Sequence, residues 1–157
     1  MEKLKISKET AMKLYPESPQ WFQEILTETF GSETFAPKEY TDIKTFDDAC
    51  RACGTTEEEF NKRMKDLGLS CDTLHYEKAK MVVAAVNQDW TPDWNNTNQR
   101  KYWPYFNLSS GFGFSGASFV FGRSASTVGS RLCYETEGKC KYAATQFLNI
   151  YKDFFTK

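Results

Sequence analysis

Between Trp90 and Phe121 the chain reads WTPDWNNTNQRKYWPYFNLSSGFGFSGASFVF, a polar, turn-rich stretch holding three of its four tryptophans. Rings this dense among Asn, Ser and Gly have two physical outcomes. They close a gap between helices and sheet, or they face a partner. Every other part of the chain has to be compatible with this segment, so it sets the organisation.

Upstream the pattern is helical. Ser7 precedes a short polar segment, Lys8 to Leu14, which Pro16 stops. Ser18-Pro19 reads as an N-cap followed by proline at the first helical position, and Trp21, Phe22, Ile25 and Leu26 recur at helical spacing up to Gly31. Trp21 and Phe22 are expected to be core anchors of that amphipathic helix. Thr45-Phe46-Asp47-Asp48 resembles a capping box opening a helix through Cys53, closed by Gly54. Thr55 or Thr56 caps the next helix, whose acidic first turn suits the helix dipole and which ends at Leu67-Gly68. A further helix begins near Asp72 and carries Leu74, Ala79, Val82, Val83 and Val86.

After Trp90 the apolar period shifts to alternation: Phe112 and Phe114, Phe119 and Phe121, then Val128, Leu132 and Tyr134. This predicts two or three antiparallel strands between Tyr102 and Tyr134. From Thr136 to Phe155 one final helix places Tyr142, Phe147, Ile150, Tyr151 and Phe154 on a flank that can cover the sheet. The expected class is α+β: an N-terminal helical layer over residues 1–89, a small antiparallel meander within 90–135 and a C-terminal covering helix over 136–155. At 157 residues without repeat or linker, one domain is expected, with a core able to bury roughly 70% of the unfolded surface.

Twenty basic and twenty-one acidic side chains leave a net charge of −1, so no global field draws in nucleic acid or an anionic membrane. The longest apolar run, Met81 to Val86, is far below the ~20 residues that span a bilayer. The N-terminus lacks an apolar leader, so a cytoplasmic setting is expected, and five cysteines, an odd number, read there as thiols.

Several constellations invite chemistry. Cys50, Cys53, Cys71 and His75 have spacings that suit a Cys3His zinc shell, yet the capping box puts Cys50 and Cys53 on a helix, where cysteine is a small buried hydrophobe. His75, the one histidine, has no recognisable nucleophile and orienting carboxylate beside it. Asp89 and Asp93 flank Trp90, but the Pro92-Asp93 step suits a turn better than an acid and base pair. Gly111-Phe112-Gly113-Phe114 resembles the core of the RNP1 motif, with Ser110 and Ser115 departing from it. With Arg100, Lys101 and Arg131 it defines a second reading, single-strand nucleic-acid binding. Trp90, Trp94 and Trp103 among amides also suit a sugar platform, while Trp90, Trp94, Tyr102, Trp103 and Tyr105 together suit a protein interface.

One resemblance runs through these residues. Asn87-x2-Trp90-x-Pro92-Asp93-Trp94-x-Asn96, Lys101-Tyr102-x-Pro104-Tyr105-Phe106, Gly111-Phe112-Gly113-Phe114, Val128-Gly129-Ser130-Arg131-Leu132-Cys133 and Gln146-Phe147-x3-Tyr151 resemble a family of small phage- and prophage-associated proteins of gut Bacteroidetes. The likeness spans roughly Thr45 to Phe155 and is strongest from Asn87. In that family the position of Cys53 is commonly aliphatic, which weakens the zinc reading. The resemblance implies no catalytic residue and no named substrate, and no cofactor is expected. It implies an accessory role, in the bacterial cytoplasm or on the virion: an assembly component, a regulator or an inhibitor of a host system. The expectation is therefore a non-enzymatic module with a protein partner.

Overall fold

The computed structural model describes residues 6–31, 34–106, 117–124 and 130–157, and of 117–120 the backbone alone. Phe112, Phe114 and Val128, named above, lie outside these residues, as does the Phe119 side chain. The chain divides into two compact units, Met1–Ala36 and Pro37–Lys157.

In the first unit α1 (Lys8–Leu14) starts on Ser7, whose hydroxyl accepts from the Thr10 amide, and a 3-10 turn over Tyr15–Glu17 carries Pro16. Helix α2 (Gln20–Phe30) starts one residue later than the Ser18-Pro19 pair suggests. The Ser18 hydroxyl donates back to the Leu14 carbonyl at 2.7 Å, leaving extended Pro19 as the cap. Ala11, Tyr15 and Leu26 are buried, flanked by Phe22, Phe30 and Phe35, with Tyr15 stacked on Phe35 at 4.1 Å. Trp21 is not a core anchor: it is 64% exposed, as Ile25 is at 48%, because Leu26 and Phe22 already fill the apolar side.

The second unit is built on α5 (Cys71–Asn87), capped by Ser70 and apolar around much of its circumference. Before it stand α3 (Phe46–Ala52) and α4 (Glu57–Asp66), both opened by reciprocal capping boxes, Thr45 with Asp48 and Thr56 with Glu59. Gly54 and Gly68 follow them at φ +77° and +60°, values glycine adopts without steric cost.

Strands β1 (Lys101–Phe106) and β2 (Ala117–Gly122) pair antiparallel, with Tyr102 opposite Phe121 and Phe106 opposite Ala117. Tyr134 adds a bridge to Tyr102 through two backbone hydrogen bonds of 3.0 and 2.7 Å. The single C-terminal helix expected from the sequence is two, α6 (Glu137–Gln146) and α7 (Leu148–Thr156). Phe147 is the break: its amide closes α6 on Ala143, its carbonyl opens α7, and its ring is buried in the core. Seating that ring outweighs helix continuity, although no Gly or Pro marks the place.

The core joins Ile43, Ala79, Val82, Val86, Tyr134 and Ala143, drawn from the residues before α3, from α5, from the bridge segment and from α6. The Tyr134 and Tyr151 hydroxyls hydrogen-bond to each other inside it, and burial raises both phenols above their usual range. The class is α+β, as the change of period predicts.

Candidate functional site

The site begins where α5 stops. Asn87, its last residue, is buried and makes both possible kinds of amide bond: Nδ2 donates to the Cys133 carbonyl at 2.7 Å, and Oδ1 accepts from the Glu135 amide at 3.1 Å. Its own carbonyl accepts from Lys139 Nζ at 3.3 Å, and that ammonium also meets Glu135 at 2.7 Å. One side chain thus locks the helix end to a segment more than forty residues away in sequence.

Gln88 then turns the chain. Its backbone sits at φ 57°, ψ −125°, the one positive-φ non-glycine among the described residues, and the Trp90 amide returns to Asn87 O at 3.2 Å. This is the first inner position of a type II′ turn, which favours glycine. Holding glutamine there costs on the order of 1–3 kcal/mol, a cost that concentrates at functional places. Its Nε2 donates to the Lys38 carbonyl at 2.9 Å.

The loop that follows is shaped by polar groups. Asp93 Oδ1 accepts from the Asn95 amide, and Asn96 Oδ1 accepts from the Asn98 and Gln99 amides. Gln99 Oε1 in turn accepts from the Asp93 amide at 2.7 Å. Asp93 therefore does turn chemistry. At the centre lies Lys101, fully buried, whose ammonium donates to the carbonyls of Asp93 at 2.5 Å, Gln99 at 3.1 Å and Asn96 at 3.5 Å, and sits 5.2 Å from the Trp94 ring. A buried ammonium needs each of its three protons matched, and three carbonyls match them. Lys101 thus does not join a basic surface, contrary to the nucleic-acid reading, because its charge organises the loop.

What the loop holds up is a groove. It is lined by Trp90, Thr91, Pro92 and Trp94 of the loop, by Lys80, Val83, Ala84, Asn87 and Gln88 of α5 and its turn, and by Ser130, Arg131 and Cys133, with a volume of about 470 Å³. Both indoles are half-buried. Trp94 leans on Trp103 at 6.2 Å, so its ring is fixed from behind. The two charged residues lining the groove are cations. Lys80 pairs with Glu77 at 2.5 Å, whereas the exposed Arg131 meets no carboxylate among the described residues. The Cys133 thiol, buried beside the groove, is pushed up to about 11 by desolvation.

Of the five residues proposed for a partner interface, Trp90 and Trp94 line the groove, Trp103 backs it, and Tyr102 turns half-buried toward the core cluster. Tyr105 stands 59% exposed further along β1. Arg131, which the sequence offers for the nucleic-acid reading, lines the groove as well. Arg100 lies elsewhere, 5.3 Å over the exposed Phe121 ring.

The zinc quartet does not assemble. Cys50 is buried and its thiol pushed up to about 12, while Cys53 points its sulfur toward the Met81 carbonyl. Only Cys71 and His75 meet, and no three potential ligands converge among the described residues.

The fold and site together define an α+β protein with a groove lined by two indoles and by the exposed Arg131. No family profile, curated protein or solved structure matches the chain. Nor is any helix among the described residues long and apolar enough to cross a membrane.

Proposed function

We propose that this protein is a non-enzymatic binding module that takes a segment of a protein partner into the groove between Trp90, Trp94 and Arg131. The observation carrying this reading is the pair of half-buried indoles, fixed by a loop built around Lys101, beside an exposed guanidinium that meets no carboxylate among the described residues. Rigid aromatic rings with an arginine at the edge are what protein interfaces concentrate their binding energy in. The cationic lining selects the partner's chemistry: an extended segment with an aromatic or aliphatic side chain for the indoles and a carboxylate for Arg131. The resemblance to phage- and prophage-borne proteins supports an accessory role of this kind, with a host or virion protein as partner.

Fluorescently labelled peptides with an aromatic residue next to Asp or Glu test it by anisotropy. Saturable binding to the wild type is expected, weakened at least about tenfold by Arg131→Glu or Trp94→Ala, since losing such an anchor costs ~1.4 kcal/mol or more. Equal binding by the variants, or no binding by any acidic aromatic peptide, overturns the reading.

A second reading draws on Arg100 over the exposed Phe121, a cation and ring pair of the kind that stacks unpaired bases. Titration with mixed single-stranded oligonucleotides at low salt separates the two. Saturable binding lost on Arg100→Ala and Phe121→Ala supports nucleic acid, and a flat trace removes it.

A further inference from the structure

At the opposite end of α5 from the groove, Cys71 is the first helical residue after the Ser70 cap of a seventeen-residue helix, and it is exposed. One turn on, His75 brings Nε2 to 3.1 Å from the Cys71 sulfur. The groove does not use this pair. Helix α7 lies alongside, with Tyr76 and Phe154 in ring contact at 5.9 Å. It ends in the Asp153 and Lys157 ion pair, 2.8 Å long, whose charges reach both His75 and Cys71.

The other four thiols are placed differently. Cys50, Cys133 and Cys140 are buried, and desolvation raises them to about 12, 11 and 12. Cys53 is exposed at the surface like Cys71, but its thiol is raised by partial desolvation and faces the Met81 carbonyl. Only at Cys71 does a base stand at hydrogen-bond distance from an accessible sulfur.

We propose that Cys71, with His75 as its proton acceptor, is a site of modification by small disulfides. The imidazole takes the thiol proton, and the Cys71 sulfur attacks one sulfur of a disulfide R–S–S–R. The S–S bond of the reagent breaks, a Cys71–S–S–R bond forms, and the other half leaves as a thiolate that recovers the proton from the imidazolium. Cys71 is oxidised and the departing half is reduced, so the exchange needs no further oxidant.

The test is a time course of the full chain with oxidised glutathione, read by peptide mass mapping at each cysteine. Cys71 is expected to gain the glutathione adduct first, about tenfold faster than Cys53, with the buried three unmodified while the fold persists. His75→Gln should slow Cys71 by about fivefold and leave the Cys53 rate unchanged. Wild-type mapping alone is decisive if that variant folds poorly: Cys53 reacting as fast as Cys71 overturns the proposal. So does a folded His75→Gln protein with an unaltered Cys71 rate.

Discussion

Helix α2 and the loop from Asp89 to Arg100 both display tryptophan among polar residues, but the two regions use it in opposite ways. In α2 the helix supplies regular backbone bonding, and Trp21 projects from it into solvent with Phe22 as its ring neighbour at 5.5 Å. In the loop no regular structure exists, so the backbone is tied by Asp93, Asn96, Gln99 and the buried Lys101 ammonium, and the rings are clamped half in and half out. Exposure alone therefore does not mark a recognition surface. Under the proposed function the mark is the polar scaffold behind a partly exposed ring, because binding then loses little side-chain freedom.

The sharpest way to break this contrast is Lys101→Met. Removing the ammonium leaves three carbonyls of the loop without their donor, and a loss of ~3 kcal/mol is expected in urea unfolding, with altered tryptophan emission. A loss below ~1 kcal/mol would mean that the loop holds itself. Asn87→Ala should follow, at ~2 kcal/mol, by orphaning the Cys133 carbonyl and Glu135 amide in the core.

Much of the scaffold around these residues was legible from local pattern. Thr45 with Asp48, Thr56 with Glu59, and the glycines at 54 and 68 announce α3 and α4, because caps depend on neighbours within four residues. The period change at Trp90 announces the strands for the same reason. Phe147 was not legible as a break, since its cause is tertiary burial. The burial of Lys101 has no local signal, because the carbonyls that surround it are backbone groups any residue carries. The groove was half visible: Trp90 and Trp94 stand out, but Ser130, Arg131 and Cys133 reach it through contacts distant in sequence, those of Asn87 and of the Tyr102–Tyr134 bridge.

Alkaline pH separates the regions in another way. All five cysteines lie in 37–157, and the folded state holds Cys50, Cys133 and Cys140 protonated to about 12, 11 and 12 against an ordinary value of 9.0. The unfolded chain releases those protons first, so the stabilisation is complete below pH ~9 and is lost as pH rises toward 12, at up to ~1.4 kcal/mol per pH unit for each thiol. Cys140→Ala should flatten that slope in urea titrations between pH 8 and about 10.5. An unchanged slope would remove this thiol as the cause.

The smallest effects make the finest comparison. Trp94→Ala should cost ~1 kcal/mol, losing its contacts with Trp103 and the Lys101 ammonium, while Trp21→Ala should stay within ~0.5 kcal/mol, as exposed positions do. Equal costs at the two positions would erase the distinction between clamped and free indoles.

The four tryptophans give four indole N–H signals in a proton–nitrogen correlation spectrum, and these report directly on where a partner segment sits. Titration with an acidic aromatic peptide should shift the Trp90 and Trp94 signals progressively to saturation, move Trp103 less, and leave Trp21 in place. If Trp21 shifts while Trp90 and Trp94 stay still, the groove is not the recognition surface.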